Sequence, residues 1–323
     1  MSANLESKSA FSLAQLKPQM WQIIGMLLLT VYFGVLNATN TLGQRHLFFG
    51  IVLFGIIISG RQRAKQFLVD WIPLLMFLVL YDLLRAVALQ LMFRVELHTP
   101  YNFDHFFFGW MFGGKVPAHW LTDWYNAHRN ETFPLIIFTL CSLLYTVHFV
   151  TFPLYMLIQW INRHRSVFYT FSIAFALLHL ATVITYIVYP AAPPWYLYDL
   201  KFTVPTPEYA KLIADTPHGL LQTLWKVSPN YFAAVPSLHG AYPTMMLLLL
   251  RKKSAPVIAL LVFYLLATWF ATLFLNHHFI FDLLLGAAYA FGAVMLTEKV
   301  ILPRFVSPRL EPVQTEDALG SRP

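Results

Sequence analysis

Charge is scarce in this chain: Asp, Glu, Lys and Arg make up 11% of its 323 residues, against 58% that are hydrophobic. So little polar material cannot cover a soluble globule, and a mean hydropathy of +0.59 places the chain in a bilayer. Cysteine is almost missing, and the single Cys141 excludes an intramolecular disulfide. Sustained apolar/polar alternation is also missing, which excludes a transmembrane β-barrel and leaves helices to satisfy the backbone in lipid. Acidic residues fall short of basic ones, giving a net charge of +7. The basic residues form no aromatic-interleaved patch, so no nucleic-acid partner is expected. No internal repeat is apparent, and no small-residue cleavage site follows the first apolar run, which reads as a signal anchor.

What is present is a series of apolar runs. Crossing about 30 Å of hydrocarbon takes about 20 helical residues, and runs of that size lie near 20–39, 67–92, 134–160, 167–189 and 256–275. Shorter runs at 46–60, 237–250 and 278–298 bring the expected spans to eight, with six or seven as the alternative. The fold class expected is an all-α integral membrane protein, a polytopic helical bundle. Residues 1–18 read as a cytoplasmic disordered tail and 19–130 as N-terminal transmembrane helices with an extracytoplasmic aromatic loop. Residues 131–302 read as the catalytic helical core, and 303–323, with four prolines among charges, as a second disordered tail.

Basic residues set the orientation. Alternate loops place Arg61, Arg63 and Lys65, then Arg163 and Arg165, then Arg251, Lys252 and Lys253 on one side, which is read as cytoplasmic. The long loops at 93–133 and 190–236 then face outward. That assignment, made from charge alone, brings several unusual polar residues to the outer mouths of the spans: His239, His278, Asp282, and the group Tyr81, Asp82 and Arg85.

His278 and Asp282 are four apart, so on a helix the carboxylate can accept a hydrogen bond from one imidazole nitrogen. That fixes the tautomer and leaves the other nitrogen as nucleophile or base. His277, about 140° from Asp282 around a helix, is the poorer partner. Ser237, in Pro236-Ser237-Leu238-His239, has the character of an N-cap, and a helix N-terminus is an anion site beside which His239 can protonate a leaving oxygen. The ligand types also suit zinc, but no Glu stands beside the pair as a base and no metal is expected. His148, within a span, reads as a satisfied polar anchor. Trp195 and the aromatic loop around 101–125 read as interfacial anchors, with Asp104, Gly113, Gly114 and Trp120 as an alternative acceptor pocket.

The segments Pro236-Ser237-Leu238-His239 and His278-x3-Asp282 resemble the second and third motifs of the type 2 phosphatidic acid phosphatase superfamily. The resemblance implies His278 as a nucleophile forming a phosphohistidine, Asp282 as its orienting acid and His239 as the group that protonates the leaving oxygen. The superfamily's first, Lys- and Arg-containing motif has no clear match, and the third motif's Ser-Arg pair falls at Ala271 and Thr272. Together with Ala192-Pro193-Pro194-Trp195 and Tyr81-Asp82-x2-Arg85, this is similar to the branch containing inositol phosphorylceramide synthase. A phosphoryl group wants fixed positive partners. Arg85 is the first substitute and His277 the second, with Lys201 and Lys226 behind them, and a structural ion pair with Asp82 is the other reading of Arg85.

What the resemblance implies is transfer of a phosphate-bearing head group from a phospholipid donor to a hydroxyl lipid, without a cofactor, at the outer face of the cell membrane. Water as acceptor would make the enzyme a lipid phosphate or polyprenyl diphosphate phosphatase. A transporter or flippase is the reading from another class, and it predicts paired broken helices that the sequence does not show.

Overall fold

The computed structural model describes residues 19–39, 44–60, 63–91, 94–200 and 232–306. Among these, the apolar runs are helices: α1 Met20–Ala38, α2 Gln44–Ser59, α3 Ala64–Asp70, α4 Ile72–Leu91, α7 Thr132–Ile161, α8 Arg165–Val188, α10 Leu238–Leu249, α11 Ala255–Phe274 and α12 Ile280–Leu296, the last continued by a π-helical stretch, Thr297–Val306. Among the described residues of the two long loops there are three further α-helices: α5 Thr99–Phe108, α6 Pro117–His128 and α9 Pro194–Leu200. The run expected at 67–92 breaks once, at Trp71, because Pro73 has no N–H with which to continue the helical ladder. Among the described residues, four helices are long and apolar enough to cross a membrane, α7, α8, α11 and α12 with its extension, and the apolar stretches Met20–Leu36 and Phe49–Ser59 are shorter. Leu140 and Leu143 on α7, and Phe263 and Leu266 on α11, point apolar side chains outward, as a lipid-facing surface requires.

The helices bury a core that is aromatic at its centre. Phe152 of α7, Phe168, Phe171 and Phe175 of α8, and Tyr242 and Met245 of α10 are all buried in it. Phe152 lies within 5.3–5.7 Å, ring centre to ring centre, of Phe171, Phe175 and Tyr242. Such offset and tilted pairs add about 0.5–1.5 kcal/mol each beyond the area they bury. α10 and α12 form the most extensive helix pair, flanked by α11 on one side and α8 on the other.

One end of the bundle carries a packed cap. The backbone of Ala191 bridges to both Glu96 and Ala233, so three separate connections meet there. Leu97, Val116, Trp195, Tyr196, Leu197, Phe232 and Phe279 form the apolar filling of the cap. Trp195 is therefore a core residue, 8% exposed, where the sequence suggested a membrane anchor. Phe106, Trp110 and Trp120 remain exposed and keep the anchor character expected of that loop.

α10 and α12 approach backbone to backbone. A Cβ at Gly240 would stand 2.5 Å from the carbonyl oxygen of Leu283, and one at Gly286 would overlap the carbonyl oxygen of Ser237. Both contacts are with main chain, so no rotamer change can relieve them. Gly286→Ala should lower stability by about 1–3 kcal/mol, the usual cost of overpacking. Thermal melts in detergent check this, and an unshifted melting temperature would show that the crossing is looser than described.

Candidate active site

α11 ends at Phe274, and Asn276 turns the chain with φ 61°, a left-handed conformation that asparagine accepts more readily than most residues. His277, His278 and Phe279 then form the short connection to α12. Phe279 is the N-cap of α12, and Asp282, three residues on, folds its carboxylate back onto it. One oxygen, Oδ2, accepts both the Phe279 N–H at 2.9 Å and the hydrogen bond from His278 Nδ1 at 3.2 Å. The sequence expected this pair on one helical face. The structure makes the same pairing across the N-cap, because His278 precedes the helix. An acceptor-only carboxylate places the ring proton on Nδ1 and leaves Nε2 with its lone pair.

The start of α10 is built as the sequence predicted. Ser237 is the N-cap, and its Oγ accepts the Gly240 N–H at 3.2 Å. The Ser237 N–H donates to the Asp282 carbonyl at 3.0 Å, tying the two helix starts together. Tyr186 of α8 adds a hydrogen bond from its hydroxyl to the Pro236 carbonyl at 2.9 Å. In this frame the His239 and His278 rings lie 5.2 Å apart, centre to centre. Both are buried, and His239 Nε2 has no hydrogen-bond partner among the described residues. A buried donor or acceptor left unpaired costs about 1–3 kcal/mol, and a substrate oxygen between the two histidines would relieve that cost.

His277 lies beside this pair, with Nδ1 3.3 Å from the Tyr145 hydroxyl. Burial, and after it the neighbouring His278 charge, push its pKa down to about 3, so His277 offers a hydrogen bond rather than a fixed positive charge. The backbone of Tyr81, Asp82 and Arg85 belongs to α4, while their side chains lie outside the described residues, as do Lys201 and Lys226. Among the described residues no group of three His, Cys, Asp or Glu side chains is arranged to hold a metal ion.

Sequence reasoning missed or misread three participants. Tyr145 stacks on His239 with ring centres 4.2 Å apart. His148 lies 3.6 Å from His239, its Nδ1 hydrogen-bonded to the Tyr145 carbonyl at 2.6 Å. Its i, i+3 spacing from Tyr145 was the available signal. Asp104 does not line an acceptor pocket: its two oxygens accept the N–H groups of Ile280 and Phe281, at 2.8 and 3.1 Å. It caps α12 from 176 residues away, and with the Phe279 N–H taken by Asp282 the first turn of that helix is satisfied by carboxylates. No local pattern could announce this. At the start of α10, Ser237 takes the Gly240 and Ala241 N–H groups, while those of Leu238 and His239 come too early to have a partner within the helix.

Burial pushes the Asp104 carboxyl up to about 7; the two backbone hydrogen bonds oppose the rise, and the charge of Asp282 adds to it. A carboxyl raised in the folded state stabilises most below its unfolded value of 3.8, and that contribution is lost as pH rises through about 7. Relative to Asp104→Asn, the wild type should therefore lose stability between about pH 4 and 7 and level off above. Thermal melts across that range check it, and parallel curves for the two proteins would contradict it.

Comparison with known proteins shows the family. The model of the PAP2 superfamily matches residues 114–296, more than half of the chain. Phosphoinositol dihydroceramide synthase of Bacteroides thetaiotaomicron is 25% identical over 263 residues, covering 77% of this chain and 82% of the relative. The catalytic subunit of inositol phosphorylceramide synthase of Saccharomyces cerevisiae is 30% identical over 139 residues, covering 39% of this chain and 33% of the relative. No solved structure matches significantly. The chain belongs to the PAP2 superfamily.

Proposed function

We propose that this PAP2-superfamily membrane enzyme moves a phosphate-bearing head group, of the inositol phosphate kind, from a phospholipid to the hydroxyl of a second lipid. The observation that carries this reading is the pairing of His278, oriented by Asp282, with His239 across 5.2 Å. The names of the two relatives, both synthases of inositol-containing ceramide lipids, support the head group and the lipid acceptor. The family match over 114–296 supports taking 131–302 as the catalytic core.

In the first half-reaction His278 Nε2 attacks phosphorus, a nitrogen–phosphorus bond forms, and the bond from phosphorus to the donor's glycerol oxygen breaks. That oxygen takes a proton from His239. An anionic phosphodiester lying beside His239 favours its charged imidazolium and so prepares it as the acid. In the second half-reaction the acceptor hydroxyl gives its proton to His239 and attacks phosphorus, and the bond to His278 breaks. Asp282 stabilises the positive charge that His278 develops on attack. The N–H groups of Leu238 and His239 at the start of α10 supply fixed donors for the phosphoryl oxygens, and Ser237 holds that turn in shape through Gly240. Arg85 is the cation we assign to the phosphate, with Asp82 orienting it and Tyr81 and His277 adding hydrogen bonds. The basic clusters at the opposite end of the bundle support an orientation in which the site faces away from the cytoplasm, at the outer surface of the cell membrane.

A donor labelled at its head-group phosphate, presented in bilayers with and without a hydroxyl lipid, tests the proposal. Label should pass to the lipid with ping-pong kinetics. Label released only to water would make the protein a phosphatase, and no His278-dependent turnover would leave transport standing. His278→Ala should abolish turnover and Asp282→Asn should cut it by about a thousand-fold or more. His239→Ala should slow the first step by about 10²–10⁴, the usual range for a general acid. A donor with a nitrophenolate leaving group, which departs without a proton, should restore that step in His239→Ala. Failure to restore it would remove His239 from the acid role.

A further inference from the structure

The opposite end of the bundle holds a second polar site. From Tyr145, beside the histidines, to Trp160 is fifteen residues of α7, or about 22 Å along the helix at 1.5 Å per residue. There a cleft of about 240 Å³ opens between the start of α3 and the turn joining α7 to α8. Arg63, Arg163 and Arg165 line it with Gln66, Asp70 and Trp160. Charge bias explains why arginines lie at this end of the spans. It does not explain why guanidinium groups from segments about a hundred residues apart converge on one cavity.

The single carboxylate in the cleft is largely engaged elsewhere. Asp70 Oδ2 accepts from the Trp160 indole at 2.8 Å and Oδ1 from the Tyr169 hydroxyl at 2.9 Å, while Arg165 stands 3.9 Å away. Arg63 is held in place by lying 4.1 Å over the Trp160 ring and by donating one N–H to the Trp160 carbonyl at 3.1 Å. Its remaining N–H groups stay available, since a guanidinium carries five. Arg163 makes no side-chain hydrogen bond or ion pair among the described residues, and it sits at φ 60°, a left-handed conformation that glycine or asparagine would take at less cost. Burial and the charges of Arg163 and Arg165 lower the pKa of Arg63, and Asp70 only partly offsets them. The cleft thus sets three guanidinium groups against one carboxylate, beside a flat aromatic wall.

We propose that this cleft binds a phosphate-bearing anion, with Arg63 and Arg163 as its principal ligands and Arg165 as a third charge. Guanidinium groups pair with phosphate oxygens through parallel N–H donors, and a bound phosphate removes the repulsion among the three. The anion has two available sources: the head group of a lipid in the leaflet at this end of the bundle, or a free phosphate from the adjoining aqueous phase.

Native mass spectrometry of the full-length protein in neutral detergent, with dioctanoyl phosphatidylglycerol and inorganic phosphate as probes, tests the site. Wild type should bind one more phosphatidylglycerol than the Arg63→Gln/Arg163→Asn double variant, with affinity at that site reduced at least tenfold in the variant. His278→Ala should keep the extra lipid, which separates this site from the histidine site. Arg251→Gln, which removes an arginine already paired with Glu298 at 2.7 Å, should also keep it. Arg163→Asn alone, at an exposed position whose backbone suits asparagine, should show a smaller loss in a protein that folds. Competition by millimolar phosphate would assign the ligand to the phosphate group itself, whereas lipid binding untouched by phosphate would assign it to the lipid head group. Equal lipid binding by wild type and the double variant, or binding of neither probe, would overturn the proposal.

Discussion

Two helix starts brought into backbone contact control the geometry on which everything else rests. α10 and α12 can cross so closely because Gly240 and Gly286 present no side chains where Leu283 and Ser237 present main chain. The contact is then fixed in register by the hydrogen bond from the Ser237 N–H to the Asp282 carbonyl. His239 is the second residue of one helix and His278 lies two residues before the other, so the crossing itself sets their separation. A displacement of one ångström there would move both imidazoles, and reacting groups that must meet at a phosphorus atom tolerate little displacement.

Around that crossing the protein spends its buried carboxylates on orientation. Asp282 holds the His278 ring and closes the N-cap of α12, and Asp104 reaches from the cap region to the next two N–H groups of the same helix. The neighbouring terminus, at Ser237, has its Gly240 and Ala241 N–H groups capped by Ser237, and the Leu238 and His239 N–H groups are those assigned to an anion in the proposed reaction. The cap over this end packs Trp195, Tyr196, Phe232 and Phe279 together, and burial of this kind strengthens electrostatic interactions by lowering the local dielectric. The rest of the bundle, with its aromatic centre, packs around these elements.

Much of this was legible in the sequence, and the reasons for what was not are physical. Apolar runs of bilayer length foretold the helices, because a chain in lipid has few other ways to pair its backbone. Ser237 was recognisable as an N-cap and Asp282 as the partner of His278, because both interactions are local and follow from spacing. The role of Asp104 was hidden, since it depends on a contact spanning 176 residues. Trp195 was misread because composition cannot separate an aromatic that anchors at a membrane surface from one that fills a cap. His148 was read as a satisfied polar anchor, and only the packing of α7 against α10 shows it lying against His239.

Membership of the PAP2 superfamily and likeness to two synthases of inositol-containing ceramide lipids are in keeping with the lipid phosphotransfer proposed above. The central claim is that the head group travels through a covalent bond to His278. The direct measurement is to mix the protein with a donor labelled at the head-group phosphate in the absence of acceptor, quench within the first turnover in base, digest, and locate the label by mass spectrometry. The account predicts an acid-labile, base-stable adduct on the peptide containing His278, lost on adding acceptor. Label found on no protein residue, while labelled product still forms at the full rate when acceptor is supplied, would contradict it.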